Sequence, residues 1–85
     1  SSLGVTAGDR VAVLSRNSHA FAAMRFALAR LGAVLVPINF MLNADEVAYI
    51  LRHAGARTLC VGPDLLALGR DAAERDTAVK RLVWL

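Results

Sequence analysis

A chain of 85 residues, 56% hydrophobic and 20% charged, allows one small domain at most, and a domain of this size withdraws only about 60–65% of its unfolded surface from water. The net charge of +3 does not mark a nucleic-acid partner, because Arg10, Arg16, Arg25, Arg30, Arg52, Arg57, Arg70, Arg75 and Arg81 are scattered among the acids, with no basic run and no interleaved aromatics. The single cysteine, Cys60, rules out an internal disulfide or a Cys-rich metal site, and no apolar run reaches the roughly 18–20 residues of a membrane-spanning helix.

Four short apolar runs alternate with three helical patterns. The first run, Val11-Ala12-Val13-Leu14, follows a turn carrying Gly8-Asp9. Asn17 or Ser18 can then cap a helix whose apolar positions Phe21, Met24, Leu28 and Leu31 fall on one stripe of a 3.6-residue period. Gly32 supplies its left-handed stop. The second run, Ala33-Val34-Leu35-Val36, is predicted to stop at Pro37, which cannot donate to a ladder.

The next helix is the best punctuated. Asn43 followed three positions later by Glu46 resembles a capping box, and Leu42 is placed to staple onto Val47. Asp45 and Glu46 suit the positive end of the helix dipole, Arg52 and His53 the negative end. Val47, Ile50, Leu51 and Ala54 form the predicted buried stripe, and Gly55 ends it.

The third run is Thr58-Leu59-Cys60-Val61, closed by Gly62-Pro63. Asp64 is the predicted cap of a weaker helix, in which Gly69 costs about 1 kcal/mol against alanine. Asp76-Thr77-Ala78 reads as a loop, and Leu82-Val83-Trp84-Leu85 as the last strand. None of the four runs alternates apolar with polar, as expected of strands covered on both faces. The fold class is therefore α/β: an open, mainly parallel sheet with helices on both faces, in the order βαβαβαβ.

The mean hydropathy of +0.48 is high for so small a domain. Some apolar faces are expected to lie against polypeptide that this chain does not include, and the chain alone is expected to self-associate. The start at Ser1-Ser2-Leu3-Gly4 has neither an initiator Met nor a signal-peptide shape, and the end at Val83-Trp84-Leu85 falls within a strand. Residues 1–85 are thus expected to be a single partial domain. Cys60, inside Leu59–Val61, reads as a small buried thiol compatible with a reducing, cytoplasmic location.

Open parallel sheets bind ligands beyond the carboxyl ends of their strands. The loop Ser15-Arg16-Asn17-Ser18 has no glycine-rich dinucleotide turn, and Lys80, the only lysine, follows no phosphate-cradling glycine loop. Asn17 and Ser18 could meet an anion at a helix N-terminus, although capping accounts for them. Asp9 precedes the first strand and Asp64 lies beyond Pro63, so no acidic phospho-acceptor cluster forms. His19 and His53 have no metal-binding partner at helical spacing, and Asp45-Glu46 is explained by capping. Catalytic, cofactor-binding and metal residues are each predicted to be none.

The ordered phrases are nonetheless distinctive. Gly4-Val5-Thr6-Ala7-Gly8-Asp9-Arg10-Val11-Ala12-Val13-Leu14, then Asn17-Ser18 with Phe21, then Leu31-Gly32-Ala33-Val34-Leu35-Val36-Pro37-Ile38-Asn39, then Leu42-Asn43-Ala44-Asp45-Glu46-Val47-Ala48-Tyr49-Ile50-Leu51, then Gly55-Ala56-Arg57-Thr58-Leu59 together resemble the N-terminal domain of adenylate-forming, AMP-binding enzymes. That superfamily includes acyl-CoA synthetases, luciferases and adenylation domains. The resemblance covers residues 3 to 62 by phrase and 63 to 85 by element order. Arg16 stands where that family often has Pro, and Phe40 where a second Pro often follows the Asn.

The resemblance implies a parent enzyme that joins a carboxylic acid to ATP and passes the acyl group to a thiol. For that parent it implies ATP, Mg2+ and CoA, a ligase of fatty acid metabolism, and the rest of the parent chain as this segment's partner. The phosphate loop, the aromatic-Thr-Glu motif, the ribose-binding Asp and the C-terminal-domain Lys of that family do not occur here. The segment is therefore expected to be inactive alone and to bind none of these cofactors. Asn39 in place of Asp, and no Tyr-Pro pair before Ala44, favour an acyl- or aryl-CoA ligase over a carrier-protein-loading adenylation domain. A stand-alone α/β binding or assembly module is the remaining alternative.

Overall fold

A computed structural model describes residues 4–85 of the chain. Seven elements follow in order: β1 (Arg10–Leu14), α1 (Ser18–Leu31), β2 (Val34–Ile38), α2 (Ala44–Ala54), β3 (Thr58–Val61), α3 (Leu66–Ala73) and β4 (Arg81–Trp84). The four strands form one sheet in the order β2-β1-β3-β4, and every pairing is parallel. Val13 faces Pro37 on one side and Cys60 on the other, so β1 is central although it comes first in the chain.

Helices cover both faces because alternate residues of the continuous apolar strands point to opposite sides. On one face, Ala12, Leu14, Leu59 and Val61 pack with Val47, Ala48 and Leu51 of α2 and Ala72 of α3. On the other, Val11, Val13 and Cys60 pack with Leu28 of α1 and with Val5. Each fully buried Leu or Val contributes about 1.5–3 kcal/mol relative to exposure. The inner strands β1 and β3 are buried along nearly their whole length, but the edge strands β2 and β4 are only half covered.

The helix ends form as the local chemistry dictates. Asn17 accepts from His19 N through its side chain at 2.8 Å. At α2 the reciprocal box is complete: Asn43 Oδ1 accepts from Glu46 N at 2.9 Å, and Glu46 Oε1 accepts from Asn43 N at 3.0 Å. Gly32 and Gly55 adopt φ of 75° and 67°, which lets Ala33 N reach Leu28 O at 2.9 Å and Ala56 N reach Leu51 O at 3.3 Å. These are paired Schellman closures in which the residue beyond the glycine returns to the core.

Four expectations need correction. Pro37 does not stop β2 but lies within it. Val34 N donates to Asp9 O at 2.8 Å, and strand alternation then turns position 37 to the open side, where a missing N–H breaks no bond. Asp64 does not cap α3: Leu65 holds the cap position with no side-chain bond, and Asp64 sits in the turn at φ 70°. On α2, Ala48 is buried while Ile50 and Ala54 are only partly covered. On α1, Leu28 alone is fully buried and Leu31 remains 38% exposed, because a single helix covers that face of the sheet.

Candidate functional site

The chain leaves β1 through α1 on one face of the sheet and leaves β3 through α3 on the other, so the topological switch point falls between the carboxyl ends of β1 and β3, where doubly wound sheets open a ligand crevice. Here that crevice is closed. Gly62 N donates to Leu14 O at 2.8 Å, and a Cβ on Gly62 would stand 2.9 Å from Ser15 Oγ. Ser15 is 3% exposed, and its hydroxyl accepts from Asn17 N at 3.0 Å.

The space on the carboxyl edge lies beside the switch point. A groove of about 280 Å³ runs between the β1–α1 and β2–α2 loops, with Arg16, Ser18, Arg25 and Asn39 on its rim and Phe21, Pro37 and Ile38 among its apolar walls. Arg16 lies over the ring of Phe40, guanidinium carbon 4.7 Å from the centroid, a separation at which the ring's negative face attracts a cation. Arg16 and Phe40, on two different loops, therefore touch each other. Arg25 had no signal as a lone arginine. Its spacing of seven from Ser18, with Phe21 between, is what sets all three on one helix face.

A second hollow, also of about 280 Å³, lies where β3 and β4 end, between Pro63, Leu66 and the exposed Trp84. A shallow surface on α2 is bordered by Leu42, Tyr49 and Ile50.

The residues singled out for chemistry are not brought together. His53 stacks on Tyr49 with ring centroids 6.0 Å apart, and His19 is exposed at the start of α1. The Cys60 thiol is buried in the sheet, and burial pushes its pKa up to about 11, the opposite of what a nucleophile needs. Asp9 accepts from Thr6 N at 2.9 Å, a bond that holds its carboxyl below the ordinary value. Asp45 and Asp71 both pair with Arg75, joining α2 to the end of α3. Among the described residues no group of three His, Cys, Asp or Glu could hold a metal, and no helix is long and apolar enough to cross a membrane.

Comparison with known families places this scaffold. Residues 1–84 match the AMP-binding enzyme family over nearly the entire chain. The chain belongs to that family. It is similar to a long-chain-fatty-acid–CoA ligase, FadD13, of Mycobacterium tuberculosis, with 47% identity over 60 residues, 71% of this chain and 12% of the relative. It is also similar to a fatty acid–[acyl-carrier-protein] ligase, ScoC, of Streptomyces coeruleorubidus, with 45% identity over 56 residues, 66% of this chain and 11% of the relative. The N-terminal domain of FACL13 from M. tuberculosis superposes at a TM-score of 0.87 and 36% identity, covering 99% of this chain and 22% of that one. The chain thus spans only about an eighth of the length of the curated relatives it matches. The α/β parallel sheet is the one found in an acyl-CoA ligase N-terminal domain.

Proposed function

We infer that this AMP-binding chain is scaffold of an ATP-dependent acyl-CoA ligase, a partial domain that carries no reacting group itself. The observation that carries this reading is the family match over residues 1–84 combined with a carboxyl edge where no nucleophile meets a base. The parent joins a carboxylate to ATP and transfers the acyl group to CoA, with Mg2+ at the phosphates. We assign no step of that chemistry to this chain. Its contribution is to set the β1–β3 edge and the loops after β1 and β2. The buried thiol of Cys60 accords with a reducing, cytoplasmic location.

A second reading is favoured by the carrier-protein ligase among the relatives: the parent loads a carrier protein instead of free CoA. Carboxylate-dependent ATP–pyrophosphate exchange tests the first claim, with none expected from the 85-residue chain and robust exchange expected from the full reading frame. Turnover by the short chain alone would overturn the scaffold reading. Thioester formation on CoA, against formation on a carrier-protein pantetheine, separates the two parents.

A further inference from the structure

Of the three helices, α3 is held to the sheet by the smallest side chains. Its fully covered positions are Gly69 and Ala72, where α1 buries Leu28 and α2 buries Val47, Ala48 and Leu51. Burial stabilises in proportion to the apolar area covered, so α3 gains least, and no side chain caps its first turn. The turns on either side of it are strained. Among the described residues, Asp64 and Asp76 are the two non-glycine positions with positive φ, at 70° and 58°, and they bracket α3. Left-handed backbone disfavours a residue with a Cβ, so both turns relax if the segment between them lifts. Beyond each turn the chain is pinned again: Gly62 N donates to Leu14 O at 2.8 Å, and Lys80 N to Arg57 O at 2.8 Å.

What opposes release is a polar latch just past the carboxyl end of α3. The Arg75 guanidinium spans both carboxylate oxygens of Asp71, each at 3.1 Å, and also pairs with Asp45 of α2. Arg52 of α2 in turn donates to Arg75 O. All four side chains are exposed, so water and salt compete for every one of these bonds. We propose that residues 66–75 are a strap that lifts from β3 as a unit while the sheet stays folded, with Asp64 and Asp76 as its hinges and Arg75 as its latch. Lifting uncovers Leu59 and Val61 on the face shared with α2. Cys60, which packs on the α1 face, stays covered. The strap does not depend on which reaction the parent enzyme runs.

The test is native-state hydrogen exchange in a series of low urea concentrations. Amides of residues 69–74 are expected to exchange with a weaker urea dependence than those of Val13 and Cys60, because lifting the strap exposes less surface than global unfolding. Arg75→Gln should speed exchange at residues 69–74 about three- to tenfold with that weak dependence kept. Salt at about 0.5 M should speed the same amides in the wild type but not in Arg75→Gln. Asp76→Gly should exchange more slowly there than Asp76→Ala, since glycine alone adopts the left-handed turn without penalty. Arg70→Gln, on the same helix and without an ion pair among the described residues, should stay near the wild-type rate, and the sheet amides report in each case that the variant is folded. The proposal is overturned if residues 69–74 exchange only with the full urea dependence of β1, if Arg75→Gln exchanges at the wild-type rate, or if the two Asp76 variants do not differ.

Discussion

Gly69 of α3 lies so close over Val61 of β3 that a Cβ on the glycine would stand 2.5 Å from Val61 Cγ1. Helix propensity alone makes Gly69 a weakness of about 1 kcal/mol. Packing reverses that sign, since forcing a methyl into a filled core costs about 1–3 kcal/mol. Gly69→Ala is expected to lower stability, read from urea unfolding, by a net ~1 kcal/mol. In a Val61→Ala background the same substitution should become neutral or stabilising, and an unchanged cost there would refute the contact.

The reciprocal bonds of Asn43 and Glu46 satisfy two backbone donors at the start of α2. Asn43→Ala should therefore cost about 1 kcal/mol by the same measurement. Asn43→Ser, which keeps an acceptor, should cost only a few tenths.

Asp9 is partly buried, and the Thr6 N–H holds its pKa below the ordinary 3.8. A carboxylate with a depressed folded pKa adds stability that is present above the unfolded value and lost as pH falls through the folded one. Stability of the chain should thus decline below about pH 4. Asp9→Asn should flatten that decline while leaving the curve above pH 6 parallel to wild type, as read from denaturant midpoints across pH.

Burial raises the Cys60 pKa to about 11, so almost no thiolate exists at pH 8 in the folded chain. Alkylation by iodoacetamide should be slow in native buffer and fast in urea, the difference tracking the global unfolding equilibrium. Rapid native labelling would show that β3 is not covered on both faces.

The open edge of β4 presents backbone groups at Leu82 and Trp84, because Leu85 N turns inward to Val61 O at 2.9 Å and alternation turns its neighbours out. Trp84 is 71% exposed there. Such an edge invites strand pairing, so the isolated chain is expected to self-associate in analytical ultracentrifugation. Trp84→Lys should shift it toward monomer. A wild-type monomer at high concentration would count against this expectation.

Much of this fold was legible because its signals are local. The caps at Asn17 and Asn43, the stops at Gly32 and Gly55, and the apolar runs of β1 and β3 depend on neighbours within a few residues, where backbone sterics and orphan N–H groups decide the outcome. Asp64 was misread because a capping residue type is only a permission. The chain turns at positive φ there, and Leu65 takes the cap position to reach the core. The loop Ser15–Ser18 was legible as part of the carboxyl edge, but the meeting of Arg16 with Phe40 was not, since their loops come together only after β2 pairs with β1.

The sequence by itself determined the seven elements, their order and the family. The tertiary structure alone decided that β1 is central, that Pro37 falls harmlessly on an edge, that Gly69 is a contact, and that Ser15 seals the switch point. The physical reason is range: capping and periodicity act over one helical turn or one strand, whereas strand order and close packing are fixed by which apolar faces bury each other across the whole sheet.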